Sequence, residues 1–182
     1  NNSRIKTRKE CLEYYGGECA CCGCKTYEFL AIDHIHGNGK KHVIEIANKK
    51  LCRWLKTNNF PDGFRILCHN CNIAIGAFNI CPHVANSNNC GRQRKRRETC
   101  FNHYGWNCVC CGENKYEFLC MDHIGDGGNE HRRKIGGGGR IYSWLIKHNF
   151  PDGFQTLCHN CNAAIAYGKQ CPHNTDKSKV TN

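Results

Sequence analysis

Leu67-Cys68-His69-Asn70-Cys71-Asn72 decides how this chain is read, and Leu157-Cys158-His159-Asn160-Cys161-Asn162 repeats it almost unchanged. Each copy follows Asn-Phe-Pro-Asp-Gly-Phe, and each has an Asp-His pair upstream, Asp33-His34 and Asp122-His123. A Cys-x-x-Cys turn sets two thiolates side by side, which is half of a tetrahedral zinc site. The missing halves are Cys19 with Cys22 and Cys108 with Cys111. The spacing therefore predicts structural zinc on Cys19, Cys22, Cys68 and Cys71, and again on Cys108, Cys111, Cys158 and Cys161.

Working outward, the whole chain proves to be two copies of one unit. Tyr27-Glu28-Phe29-Leu30 recurs as Tyr116-Glu117-Phe118-Leu119, His42 as His131, Trp54-Leu55 as Trp144-Leu145, and Cys81-Pro82-His83 as Cys171-Pro172-His173. One extra residue enters the second copy near Gly136–Gly139. The expected boundaries are 1–89 for the first unit and 90–182 for the second. Units this small bury a modest core and need a staple such as a metal ion.

The duplicated Cys21, Cys81 and His83, with Cys110, Cys171 and His173, are candidates for a second zinc site per unit. Cys11 and Cys100 are candidates for its fourth ligand, although a small core residue would serve equally well there. Cys24, Cys52, Cys90 and Cys120 have no counterparts and read as ordinary packed or surface thiols. With 18 cysteines in 182 residues, this pattern favours metal-bound thiolates in a reducing, intracellular setting over a disulfide scaffold. No apolar run is long enough to span a membrane and no signal peptide is visible, so no membrane partner is expected. The first residue is not Met, which leaves targeting open.

Lys and Arg outnumber Asp and Glu by 26 to 15, a net charge of +11, which favours a polyanionic partner such as nucleic acid. The residues expected to meet it are Lys40, Lys41, Arg92, Arg94, Lys95, Arg96, Arg97, Arg132 and Arg133, with Arg4–Lys9 on the first helix.

The local patterns predict a helix over Arg4–Tyr15, a strand over Tyr27–Ile32, and a glycine-opened loop after Asp33-His34. A helix over Ile44–Leu55 and a second strand over Phe64–Leu67 come next, and after the knuckle a helix starts around Asn72. In the second unit the middle helix is expected to begin near Arg140, after a flexible loop at Gly125–Arg133 that ends in basic residues.

Asp-His at a strand end, Cys-x-x-Cys pairs on either side, and Asn just after the second pair resemble the HNH or His-Me finger (ββα-metal) endonucleases. The likeness is to the phage-type zinc-knuckle H-N-N subgroup that includes recombination endonuclease VII. It covers nearly all of each repeat and implies a small zinc-stabilised α+β protein of two tandem ββα-metal, treble-clef-like units. It further implies that His34 and His123 are general bases, that Asp33 and Asp122 ligate catalytic Mg²⁺, and that Asn72 and Asn162 complete that site. Neighbours on a strand point to opposite faces, so Asp33 and His34 can share a site only if the strand ends or bulges there. His42 and His131 serve equally well as phosphate ligands or as caps of the following helix. His69, Asn70, His159 and Asn160, inside the knuckle, read as capping or supporting groups.

The expected function is thus a metal-dependent endonuclease, DNA favoured over RNA, acting as a monomeric pseudo-dimer with one unit for each strand. If one copy has lost activity, it is the first. The competing reading is a catalytically idle zinc domain that binds nucleic acid as a structural component of a ribonucleoprotein, such as a ribosome, or of a virion. A third, an extracellular disulfide protein, fails if the native chain carries zinc.

Overall fold

The computed structural model describes residues 2–46, 50–84, 92–125, 127–168 and 170–177. It is a small α+β protein with two antiparallel two-stranded sheets. The boundary expected at 89/90 and Cys90 lie outside the described residues.

Helix α1 (Asn2–Tyr14) contains no Gly or Pro and buries Cys11 and Leu12. Gly17 ends it by donating to the Leu12 carbonyl at 2.8 Å. The Cys-rich turn follows, closed by hydrogen bonds from Cys19 to the Cys24 carbonyl and from Gly23 to the Cys19 carbonyl. Tyr27–Phe29 is a single 3₁₀ turn where a strand was expected, and β1 runs instead over Leu30–His34. It pairs with β2 (Phe64–Cys68) in unbroken register, from Leu30 opposite Cys68 to His34 opposite Phe64. β1 therefore ends at His34 without a bulge.

The expected helix over Ile44–Leu55 is two helices, α2 (Gly39–Glu45) and α3 (Leu51–Thr57). Leu55, fully buried, anchors α3; one such side chain contributes about 1.5–3 kcal/mol. The turn into β2 places Asn59, Phe60 and Gly63 at positive φ, and only the last of these is conformationally free of cost. Tyr15 braces that turn through its hydroxyl, which donates to the Pro61 carbonyl at 2.8 Å. Helix α4 (His69–Phe78) starts directly after Cys68, earlier than the expected Asn72.

The second repeat follows the same order. It comprises α5 (Arg92–Tyr104), a 3₁₀ turn at Tyr116–Phe118, β3 (Leu119–His123), α6 (Gly128–Ile135), α7 (Ile141–Lys147), β4 (Phe154–Cys158), α8 (His159–Gly168) and α9 (Pro172–Lys177). α7 begins close to the expected Arg140, but α6 occupies the segment expected to be a loop. No helix among the described residues is long and apolar enough to cross a membrane.

The repeats share one continuous core. Each knuckle helix packs on the other repeat, α4 against the Tyr116–Phe118 turn and α8 against the Tyr27–Phe29 turn, and the two helices touch each other. At the crossing, the Asn160 side-chain oxygen accepts from the Asn70 amide, and the Asn70 oxygen accepts from the Asn160 amide, both at 2.9 Å. These amides belong to the first turns of α4 and α8, where backbone donors lack intrahelical partners. Capping was the expected role of these asparagines, but each caps the other repeat's helix.

Candidate functional site

Among the described residues, four groups of Cys and His side chains could hold metal ions. Cys19, Cys22, Cys68 and Cys71 converge in the first repeat, and Cys108, Cys111, Cys158 and Cys161 in the second. The local cause is plain: the turn brings the first pair to the end of β2, and the second pair straddles the start of the knuckle helix. Cys68 caps α4, its sulfur accepting from the Cys71 amide at 3.5 Å, and Cys158 does the same for Cys161 at 3.4 Å.

The spacing fits zinc. Bonds of about 2.3 Å to sulfur give tetrahedron edges of about 3.8 Å. Cys22 and Cys68 lie 3.9 Å apart and Cys111 and Cys158 lie 3.8 Å apart, far beyond a disulfide bond. Hydrogen bonds between the thiols divide each group. Those from Cys68, foremost for Cys19, and from Cys111, foremost for Cys108, hold these two cysteines well below the usual thiol range. The bonds to Cys19 and Cys108 push Cys68, Cys71, Cys158 and Cys161 up, and a bound cation would displace the protons that remain. A thiolate is what the ion binds.

The other two groups are Cys21, Cys71, Cys81 and His83, and Cys110, Cys161, Cys171 and His173. Cys11 and Cys100 are not the fourth ligands of these groups. The Cys11 thiol donates to the Cys52 carbonyl and the Cys100 thiol to the Tyr142 carbonyl. Burial pushes their pKa values up, to about 12 and about 11, so both are inert core thiols. The fourth position falls instead to Cys71 and Cys161.

Around the Asp-His pairs, register sets the partners. Asp33 faces Arg65 across the sheet, and their side chains form an ion pair at 2.8 Å. Asp122 faces Gln155, which donates at 3.1 Å. Asn162 donates to the Cys120 sulfur at 3.2 Å, and Cys120 stands two residues before Asp122, on the same face of β3. The carboxylate and the amide are therefore brought to one face. Ala31 stands where Cys120 does in the second repeat and gives Asn72 no such acceptor.

His34 and His123 lie on the opposite face, at the last residue of their strands. His34 Nε2 is hydrogen-bonded to His42 Nδ1 at 2.8 Å, and His123 Nε2 to His131 Nδ1 at 2.7 Å. Phe64 and Phe154 pack against these imidazoles, and Trp54 and Trp144 meet the second histidine edge-on. Burial lowers the pKa of His34 and His123 below the ordinary value and the neighbouring imidazole lowers it further, outweighing the adjacent Asp. Both are neutral near pH 7. His42 and His131 thus orient the strand-end histidine, which neither expected role described.

Nδ1 is the ring nitrogen of His34 and His123 that the second histidine leaves for other work, and a glycine faces it. A methyl group at Gly39 would sit 3.1 Å from His34 Nδ1, and one at Gly128 would sit 3.0 Å from His123 Nδ1. In the sequence these glycines stand only as parts of glycine-rich loops; their duplication is the signal of a closer role.

No family model, curated protein or solved structure matches the chain.

The basic residues divide. Lys41, Lys95, Arg96 and Arg133 are exposed, and Arg132 is half-buried. Arg132 and Arg133 line one shallow pocket with Asn129, Gly136 and Gly137. Arg94 pairs with Glu98 at 2.7 Å. Arg97 is corrected: it is buried, donates to the Tyr116 and Leu119 carbonyls at 3.0 and 2.8 Å, and lies over the Tyr116 ring. Arg8 holds the Tyr27 and Leu30 carbonyls in the same way, so it too is structural. The side chains of Lys40 and Arg92 lie outside the described residues.

Proposed function

We propose that the chain is a metal-dependent endonuclease of two tandem ββα-metal, treble-clef-like units, with DNA as the favoured substrate. One observation carries the reading: in both repeats a strand-end imidazole is held neutral, its Nε2 is tied to a second histidine, and its Nδ1 is faced by a glycine. At that glycine no side chain covers the remaining nitrogen, whereas even a methyl group would press on it. A general base needs that nitrogen uncovered, because the attacking water must reach it.

In this reading Nδ1 of His34 or His123 takes a proton from water as the water oxygen bonds to phosphorus. One P–O ester bond breaks, and the departing oxygen is protonated by solvent. On the other face of each strand, Asp33 with Asn72, and Asp122 with Asn162, would hold Mg²⁺, one hard carboxylate and one amide oxygen leaving positions for a phosphate. That phosphate would have to span the strand end to meet the imidazole as well. Bound there, Mg²⁺ would neutralise charge that develops on the phosphate. The exposed Lys41, Lys95, Arg96 and Arg133 would steer the backbone, with salt-dependent affinity.

The repeats differ in readiness. Asp33 is already neutralised by Arg65, whereas Asp122 accepts from the neutral Gln155 amide. The second repeat is assigned the greater share of cleavage. Plasmid nicking with and without Mg²⁺ tests the reading. His123→Ala should cost more than His34→Ala, and the double variant should abolish nicking with zinc content unchanged; undiminished cutting refutes the assigned base.

The Arg65–Asp33 ion pair favours a second reading for the first repeat, a binding module without chemistry. A whole chain of that kind would bind nucleic acid in a salt-dependent way without nicking it, as a structural part of a ribonucleoprotein or virion.

A further inference from the structure

Each repeat gathers seven metal-ligating side chains into two groups, and one residue belongs to both. Cys71 stands with Cys19, Cys22 and Cys68, and also with Cys21, Cys81 and His83; Cys161 has the same double membership in the second repeat. Within each group the ligand atoms lie within 4.8 Å of one another. Two separate tetrahedra need eight ligands. Seven protein ligands fill both without a water if one is shared, and sulfur, with its spare lone pairs, is the donor that can be shared.

The distances support an ion in the second group. A tetrahedron with Zn–S of about 2.3 Å and Zn–N of about 2.0–2.1 Å has S···N edges of about 3.5 Å. His83 Nδ1 lies 3.3 Å from the Cys71 sulfur and 3.2 Å from the Cys81 sulfur. The corresponding His173 distances are 3.3 and 3.6 Å. Cys71 and Cys161 are fully buried, at the first turn of helices fixed by Cys68 and Cys158, so the shared sulfur is held in place by the backbone. Cys21 falls between Cys19 and Cys22 along the turn and joins the other group, which divides the ligands without further chain.

We propose that each repeat holds a dinuclear zinc centre in which a single thiolate, Cys71 in the first repeat and Cys161 in the second, bridges two ions. Six thiolates and a neutral imidazole around two Zn²⁺ ions give a net charge of about −2, with sulfur and imidazole donors suited to zinc. The second ion also reaches the seam between repeats. The His83 ring packs on Phe118 at 5.2 Å and the His173 ring on Phe29 at 5.1 Å, so each ion fixes a ligand that rests on the opposite repeat.

The test is metal stoichiometry of the full-length chain, independent of any cleavage. Mass-spectrometric metal analysis after exhaustive dialysis should give four zinc ions per chain. The double variant Cys81→Ser with Cys171→Ser should retain two. Should that variant fail to fold, cobalt replacement in the unaltered chain decides. The magnetic moment per cobalt should fall as loading rises from two to four ions, because the shared sulfur couples the spins. Two zinc ions in the unaltered chain, or four cobalt ions that stay magnetically independent, overturn the bridge.

Discussion

Asn70→Ala removes the oxygen that accepts from the Asn160 amide and leaves that donor without a partner at the start of α8. Loss of an N-cap acceptor costs about 0.5–2 kcal/mol, and a buried unsatisfied amide costs about 1–3 kcal/mol. Asn70 is only 6% exposed, so water does not readily replace the lost oxygen and about 1–2 kcal/mol is expected. For a chain of this length each kcal/mol lowers Tm by about 2–4 °C, which gives a fall of about 2–8 °C. Asn160→Ala should cost about the same. The double variant should cost up to about twice as much, less any coupling between bonds in contact. Asn70→Asp keeps an acceptor where a helix N-terminus favours negative charge, and should recover most of the loss. The assay is thermal unfolding followed by tryptophan fluorescence at fixed, saturating free zinc, so that metal release does not move Tm by mass action. A fall below about 1 °C for Asn70→Ala would show that the cross-caps contribute nothing to stability.

Three further outcomes follow from the same geometry. Arg97→Met should destabilise the second repeat by about 2–4 kcal/mol, since it strands two carbonyls that receive charge-assisted bonds, while nucleic-acid binding at saturating zinc changes little; a selective binding loss would return Arg97 to the surface. Gly128→Ala should depress nicking at least tenfold with zinc content unchanged, because the new methyl covers His123 Nδ1; unchanged nicking would deny that nitrogen a role. The lowered pKa values of His34 and His123 also set a pH dependence. A base that loses its proton more readily than free histidine stays neutral, so nicking should persist as pH falls through 6.5 and fail only below it. The unfolded chain binds these protons first, so the histidines' share of stability is whole above about pH 6.5 and is lost as pH falls toward their folded values. Nicking that halves above pH 6.5 would contradict the assigned burial.

Much of this was legible in the sequence because short-range spacing dictates it. The two Cys-x-x-Cys pairs meet because Cys68 ends a strand and Cys71 starts a helix, and a local motif records both. Cys81 and His83 were legible as ligands, but the ligand that completes their group was not: Cys71 was already assigned, and sequence spacing does not announce a shared donor. Arg97 misled for a related reason. A run of basic residues looks like a nucleic-acid face, yet the period of α5 turns Arg97 inward to the carbonyls after Tyr116 while Lys95 and Arg96 stay in solvent. Nor could the Asp33–Arg65 pair be foreseen before the β1–β2 register was known. The middle helices failed at their boundaries, where Gly39 and Gly128 begin helices that their composition argued against.

The exchanged asparagine caps set an order on maturation. The helix that carries Cys71 lacks part of its first-turn bonding until Asn160 has been synthesised, roughly ninety residues later. At translation rates of about 5–20 residues per second, the earlier helix waits about 5–20 s for that cap, although every ligand of its metal groups has already been made. Duplication within one polypeptide has thus made the last increment of order in the first-made half depend on the last-made half, and a chain truncated between them would keep its metal ligands but lack the cap that Asn160 supplies.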